Sequence, residues 1–171
     1  ILSKYAKDNN FINTKFFVDD GYSGTSFTRP AFMELMELAE QGNIGTIIRS
    51  AVAFNYETII ISPNSADVYN IKTIRATEGM LYKINIVIKD LNEIIPDLKN
   101  KGYKIVGTDV QKGSHPYKIS GAHALIIGSE AKGMSNDVKK LCDEFFYIPM
   151  SEKCESLNAG VSASILMYTQ L

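Results

Sequence analysis

The feature that most constrains this chain is a set of short strands that are apolar throughout. Ala124-Leu125-Ile126-Ile127 offers no polar position in four, although successive side chains of a strand point to opposite faces. Both faces must therefore be covered, the condition of a parallel sheet layered between helices. Segments with helical spacing separate such strands from Asn43 onward. The pattern predicts a helix at about 45–54, strand Thr58–Ile61, a helix near 66–78 and strand Ile84–Ile88. A helix from Asp90, a good N-cap, runs to Asn100 with Gly102 as its stop. Strands Tyr103–Val106, His123–Ile127 and Phe145–Ile148 follow, with helices near 135–141 and 156–169. The expected fold class is α/β, one parallel sheet with helices on both faces.

The first forty residues read differently. A short strand at Thr14–Val18 leads through a turn-rich loop to a helix with Pro30 in its first turn and Phe32, Leu35, Met36 and Leu38 behind it. Residues 1–42 carry four basic and six acidic side chains, so this part is acidic and the rest slightly basic. The division is expected near Asn43. A net charge of −1 means that any polyanion must be held by local patches. With 45% hydrophobic and 22% charged residues, the chain is neither disordered nor a nucleic-acid-coating basic protein. Cys142 and Cys154 are too few for a disulfide scaffold, which points to a reduced, cytoplasmic compartment. No apolar run approaches the roughly 20 residues of a membrane span, and no signal-peptide pattern is present. The chain begins with Ile, and is expected to start inside a longer reading frame.

Three strand ends carry candidate chemistry, because ligands of parallel sheets bind outside the carboxyl ends of strands. They are Gly107-Thr108-Asp109, then Gly128 to Met134, then Pro149-Met150 with Ser156-Leu157-Asn158 close behind. None is a P-loop, since Gly133 is not followed by Lys and Ser or Thr, and the GxGxxG spacing is absent. A nucleotide-like ligand held by backbone groups remains open. Asn43-x-Gly45 opens a further helix, on which Gly45 is expected to leave space beside Arg49, one turn on. Ile44, Ile47, Ile48 and Ala51 would face the core. His115 and His123 read as structural or surface residues, leaving no conventional base.

Together these residues resemble the three motifs of the SpoU/TrmH family of RNA ribose 2′-O-methyltransferases, members of the SPOUT superfamily. The first is Asn43-Ile44-Gly45-Thr46-Ile47-Ile48-Arg49-Ser50-Ala51, with Asn55 where the family commonly has glycine. The second is Ala124 to Met134, including Gly128, Glu130 and Gly133. The third is Ile148-Pro149-Met150 with Glu155-Ser156-Leu157-Asn158. Ile74-Arg75-Ala76-Thr77-Glu78-Gly79 resembles a further family stretch. The resemblance covers about 43–171. It implies a C-terminal trefoil knot, a homodimer, and S-adenosyl-L-methionine lined by Thr108, Gly128, Gly133, Ile148, Met150 and Leu157. It assigns Arg49 to the reacting hydroxyl, with Asn43, Glu130, Ser156 and Asn158 in support. Arg49 is better read as orienting the hydroxyl and a neighbouring phosphate than as a base, since a guanidinium keeps its proton. The substrate would be tRNA or rRNA, met by Arg49, Arg75, Lys132 or the Lys99/Lys101/Lys104 cluster. No metal and no membrane are implied.

Residues 2–41 instead resemble part of a serine recombinase catalytic domain, through Phe17-Val18-Asp19-Asp20-Gly21-Tyr22-Ser23-Gly24-Thr25 and Arg29-Pro30. The nucleophilic serine and the arginine partners of that family have no counterpart here. The chain reads as a chimera in which a recombinase-like fragment replaces the strand that normally precedes Asn43. Two functions follow as expectations, an active methyltransferase and a binding remnant disabled by the fusion.

Overall fold

A computed structural model describes residues 4, 7–8, 30–110, 112–129 and 133–171, apart from the side chains of residues 32, 34, 35, 37 and 38. The expected strand Thr14–Val18, and with it Arg29, Glu130 and Lys132, lies outside the described residues. The chain divides into two compact units, Ile1–Ala39 and Glu40–Leu171. In the first, Lys4, Lys7 and Asp8 are helical and exposed.

The elements run α1 (Pro30–Ala53), β1 (Thr58–Ile61), α2 (Ile71–Thr77), a single 3₁₀ turn (Met80–Lys83), β2 (Asn85–Ile88) and α3 (Leu91–Asn100). They continue with β3 (Lys104–Thr108), β4 (His123–Ile126), α4 (Asn136–Leu141), β5 (Glu144–Phe146) and α5 (Ala159–Tyr168). Asp90 caps α3 as expected, its carboxylate accepting the Asn92 N–H at 2.8 Å.

Covered strands explain the apolar runs. On one face of β3, β4 and β5, Ile105 and Ile126 pack with Ile95 of α3 and Val138 of α4. On the other face, Val106 and Phe146 pack with Leu166 of α5 and with Leu125 and Ile127. Neighbouring residues of each strand thus serve opposite helical layers.

Two expectations are corrected. Asn43 does not open a helix, because α1 is continuous through it for 24 residues. Glycine within a helix costs about 1 kcal/mol against alanine, and packing offsets that cost here. Ile48 and Ala51 are buried, with Ile44 and Ile47 packed beside them. The single parallel sheet is also two hydrogen-bonded groups among the described residues, β1-β2 and β4-β3-β5, each parallel. Side chains join them: Ile59 and Ile84 share an apolar cluster with Ala51, Leu125, Ile127, Ala163 and Met167. Asn55, at φ 62, adopts the left-handed backbone that the usual glycine would take.

Asp143 ties β3 to the chain before β5. Its carboxylate accepts the Ile105 N–H at 2.8 Å and pairs with Lys99 Nζ at 2.7 Å. Lys99 first, and then the Ile105 amide, hold this carboxyl below the ordinary aspartate range. A depressed native-state pKa gives stability that is complete above the unfolded value, about 3.9, and is lost as pH falls through the lower native one. Asp143→Asn should therefore flatten the acid limb of stability below about pH 4. It should cost roughly 1 kcal/mol at neutral pH, measured by urea unfolding across pH. An unchanged acid limb would show that the pair is idle.

Candidate functional site

Because β3, β4 and β5 are parallel, their carboxyl ends open on the same side, and one cleft lies there. Thr108, Asp109 and Val110 line it from the end of β3, and Ile127, Gly128 and Ser129 from the end of β4. Gly133 and Met134 follow, with Ile148, Met150, Ser156 and Leu157 after β5, and Ala159, Ser162 and Leu166 of α5 as its floor. Apolar walls from Ile127, Ile148, Met150 and Leu157 thus alternate with the hydroxyls of Thr108, Ser129, Ser156 and Ser162. Such a lining suits a ligand that has both apolar and hydrogen-bonding parts.

At the second strand end, backbone groups of Ser129 and Gly133 bond each other. Ser129 N–H donates to the Gly133 carbonyl at 3.2 Å, and Gly133 N–H returns a bond to Ser129 at 2.8 Å. A Cβ on Gly128 would stand 2.7 Å from the Gly133 carbonyl carbon and 2.8 Å from the Met134 nitrogen. Gly133 itself has φ +63. Glycine at 128 is what lets the loop double back against the cleft.

Helix α1 meets this region through α5. Asn158 caps α5, its Oδ1 accepting from Gly160 and Val161 at 3.0 and 3.2 Å, while its Nδ2 donates to Asn43 Oδ1 at 2.7 Å. Ser50 and Ser164 hydroxyls bond at 2.7 Å across the same seam. The other flank of α1 meets α2. The expected space beside Arg49 is absent, because a Cβ on Gly45 would overlap that of Ala76 and lie 2.9 Å from the Thr73 carbonyl. One turn on, Arg49 Nη1 donates to Glu78 Oε1 at 2.8 Å, with both side chains more than half exposed.

The expected residues fall into three groups. Thr108, Gly128, Gly133, Ile148, Met150, Ser156 and Leu157 surround one cleft. Asn43 and Asn158 are joined by a hydrogen bond, and Arg49 stands outside the cleft lining with Glu78 as its partner. Sequence reasoning names Glu78 and Asp109 within motifs without giving either a role, and misses Lys139. The last two line the cleft 3.6 Å apart, and nothing in the sequence separates Lys139 from an ordinary surface lysine. Neither histidine lines the cleft. His115 bonds the Tyr147 hydroxyl at 2.7 Å and His123 that of Tyr56 at 3.0 Å, where burial pushes the Tyr56 phenol up to about 12. The lysine cluster is partly consumed internally, Lys99 by Asp143 and Lys104 by Glu144. Among the described residues, no three metal-ligating side chains cluster, and no helix is long and apolar enough to cross a membrane.

The profile of the SpoU rRNA Methylase family matches residues 31–168. The chain is 35% identical over 131 residues to the 23S rRNA (guanosine(2553)-2'-O)-methyltransferase RlmP of Bacillus subtilis, covering 75% of this chain and 53% of that protein. Over 143 residues it is 35% identical to YacO of Bacillus subtilis, named for the TrmH family of tRNA/rRNA methyltransferases, covering 82% and 57%. Among solved structures, the SpoU methyltransferase AviRb from Streptomyces viridochromogenes, in complex with the cofactor AdoMet, matches with a TM-score of 0.70 and 32% identity. That match covers 76% of this chain and 55% of AviRb. The AdoMet-bound rRNA methyltransferase from Sinorhizobium meliloti matches with a TM-score of 0.72 and 26% identity, covering 76% and 51%. The chain spans little more than half the length of these relatives.

Asn158→Ala, which removes both the α5 cap and the link to Asn43, is expected to cost about 1–2 kcal/mol in denaturant unfolding. Asn43→Ala keeps the cap and removes the link, so it should fall between that variant and the parent. Stability equal to the parent's in the second variant would deny the link any weight.

Proposed function

Since this chain belongs to the SpoU rRNA methylase family, we propose that it transfers a methyl group from S-adenosyl-L-methionine to a ribose 2′-hydroxyl of tRNA or rRNA. The observation that carries the reading is the cleft, where seven residues singled out by motif position stand around one opening. S-adenosyl-L-methionine, when bound, supplies the methyl group. Gly128, Ile148 and Leu157 would hold it largely through backbone and apolar contact, with Thr108, Gly133 and Met150 beside them. The fit is supported by the mixed apolar and hydroxyl lining, and by Gly128, whose missing Cβ lets the Gly133 and Met134 backbone close against it beside the cleft.

Arg49 lies outside that lining, so the group it meets is the RNA. Its fork of donors suits a ribose oxygen and the adjoining phosphate together. Holding those two atoms in place is a positioning contribution, and positioning counts for much in a transfer between two bound partners. Asn43, Ser156 and Asn158 form the polar support, and Glu130 joins them by motif position. Arg75 and the other cations outside internal pairs would contact phosphates, making RNA affinity fall with salt.

We further infer a homodimer, supported by Val161, Ile165 and Tyr168, exposed apolar residues at helical spacing on α5. A trefoil knot in the C-terminal third is part of the same reading. Its support is the order β4-β3-β5, in which the last strand returns to the side of β3 away from β4. Residues 1–42 are proposed to derive from a serine recombinase, and the compartment to be the cytoplasm, where the RNA substrate is found.

Incubation of total RNA with methyl-labelled S-adenosyl-L-methionine, followed by digestion to nucleosides, is expected to yield 2′-O-methylated product. Arg49→Ala should lower the rate at least about a hundredfold, as losing a positioned charge donor does, with cofactor binding by calorimetry unchanged. Cofactor binding without any transfer by the parent chain would identify a remnant that binds and does not catalyse.

A further inference from the structure

Arg49 is held, and the way it is held is costly. Gly45 admits α2 so closely that Arg49, on the same face of α1 one turn later, arrives at the C-terminal end of that helix. There Glu78 has φ 48 and ψ 42, and Gly79 behind it has φ 82. Among the described residues only Asn55 and Glu78 are non-glycines with positive φ. Asparagine is favoured in that region and glutamate is not, so Glu78 is strained where Asn55 is nearly at ease. The left-handed turn delivers the Glu78 carboxylate to Arg49 Nη1 at 2.8 Å.

The left-handed turn itself closes α2, with Glu78 N–H donating to the Arg75 carbonyl at 3.2 Å, but glycine would serve there without strain and stability does not account for a glutamate. The two side chains are 56% and 64% exposed, and exposed ion pairs return little folding energy. A residue kept strained for an interaction of small stabilising value points to function. The pair leaves most of the guanidinium unspent, because one N–H of five is used and the others stay available to oxygen acceptors.

We propose that Glu78 is the positioning residue for Arg49: its carboxylate fixes one edge of the guanidinium and turns the remaining donors toward the ribose hydroxyl and its phosphate. This rests on the role given to Arg49 above. Without Glu78 a long, half-exposed side chain would sample many rotamers, and productive alignment would become rare. RNA would still bind, since Arg49 keeps its charge and only a carboxylate beside it is lost, so the loss falls on turnover.

Glu78→Gly separates the carboxylate from the backbone, because glycine accepts the left-handed conformation without strain. Its thermal midpoint should equal or exceed that of the parent. Its kcat for methyl transfer should drop about tenfold, one decade for each 1.4 kcal/mol of lost alignment, with KM for RNA within about twofold. Glu78→Gln, which still accepts a hydrogen bond, should recover part of the rate. In an Arg49→Ala background, Glu78→Gly should change nothing further. Full kcat in Glu78→Gly, or an equal loss in the Arg49→Ala background, would overturn the proposal. Should the parent chain transfer no methyl group, the proposed function fails by itself, and the pairing is read from modification of Arg49 by phenylglyoxal. That reaction should quicken severalfold in Glu78→Gly, and equal rates would overturn the proposal.

Discussion

Everything in the larger unit depends on how closely α1 is gripped from two sides. On one flank Gly45 lets α2 come into backbone contact, and on the other Gly160 of α5 leaves room for Thr46, whose Cβ would stand 3.1 Å from any methyl placed there. Between these contacts Ile48 faces the β1-β2 layer, and Ala51 faces Ala163 and Met167 of α5. The two strand groups share no hydrogen-bonded edge among the described residues, and α1 bridges them alongside the apolar cluster that Ile59 and Ile84 share with Leu125 and Ile127. Small residues at both crossings fix its position to within a methyl group, and cores packed at that density transmit displacement rather than absorb it.

Function follows from where this helix puts its polar residues. One face of α1 gives Asn43 to the α5 cap, beside the cleft formed by the parallel strand ends. The opposite side gives Arg49 to the left-handed turn after α2. The proposed cofactor side and the proposed substrate side are therefore attached to one helix, and a shift at either glycine would misalign them both.

Much of this was legible in the sequence because it rests on local chemistry. Unbroken apolar strands announce two covered faces, Asp90 announces a cap, and the three strand-end motifs announce a shared opening. What was not legible depends on long-range packing. Gly45 within Asn-x-Gly reads as a helix start and as empty space, whereas its bare face is taken up by Ala76, some thirty residues away in the chain. Splitting of the sheet could not be read either, since strand patterns report burial and say nothing of which edges pair. Lys99 and Lys104 looked like an RNA patch until the fold supplied Asp143 and Glu144 as partners. Glu78 stands in a recognisable stretch, yet nothing in the sequence shows its backbone angle or its pairing with Arg49.

If α1 makes the proposed cofactor half and the arginine half one cooperative body, native-state amide exchange with S-adenosyl-L-methionine will register it in both. A ligand binding only the native state slows every amide that exchanges through global opening by one common factor. At a concentration about a hundred times its dissociation constant that factor is about a hundred. The slowest amides of β1 and β2 should then slow as much as those of β3 and β4. Slowing confined to β3, β4 and β5 would contradict the account, and so would no slowing anywhere.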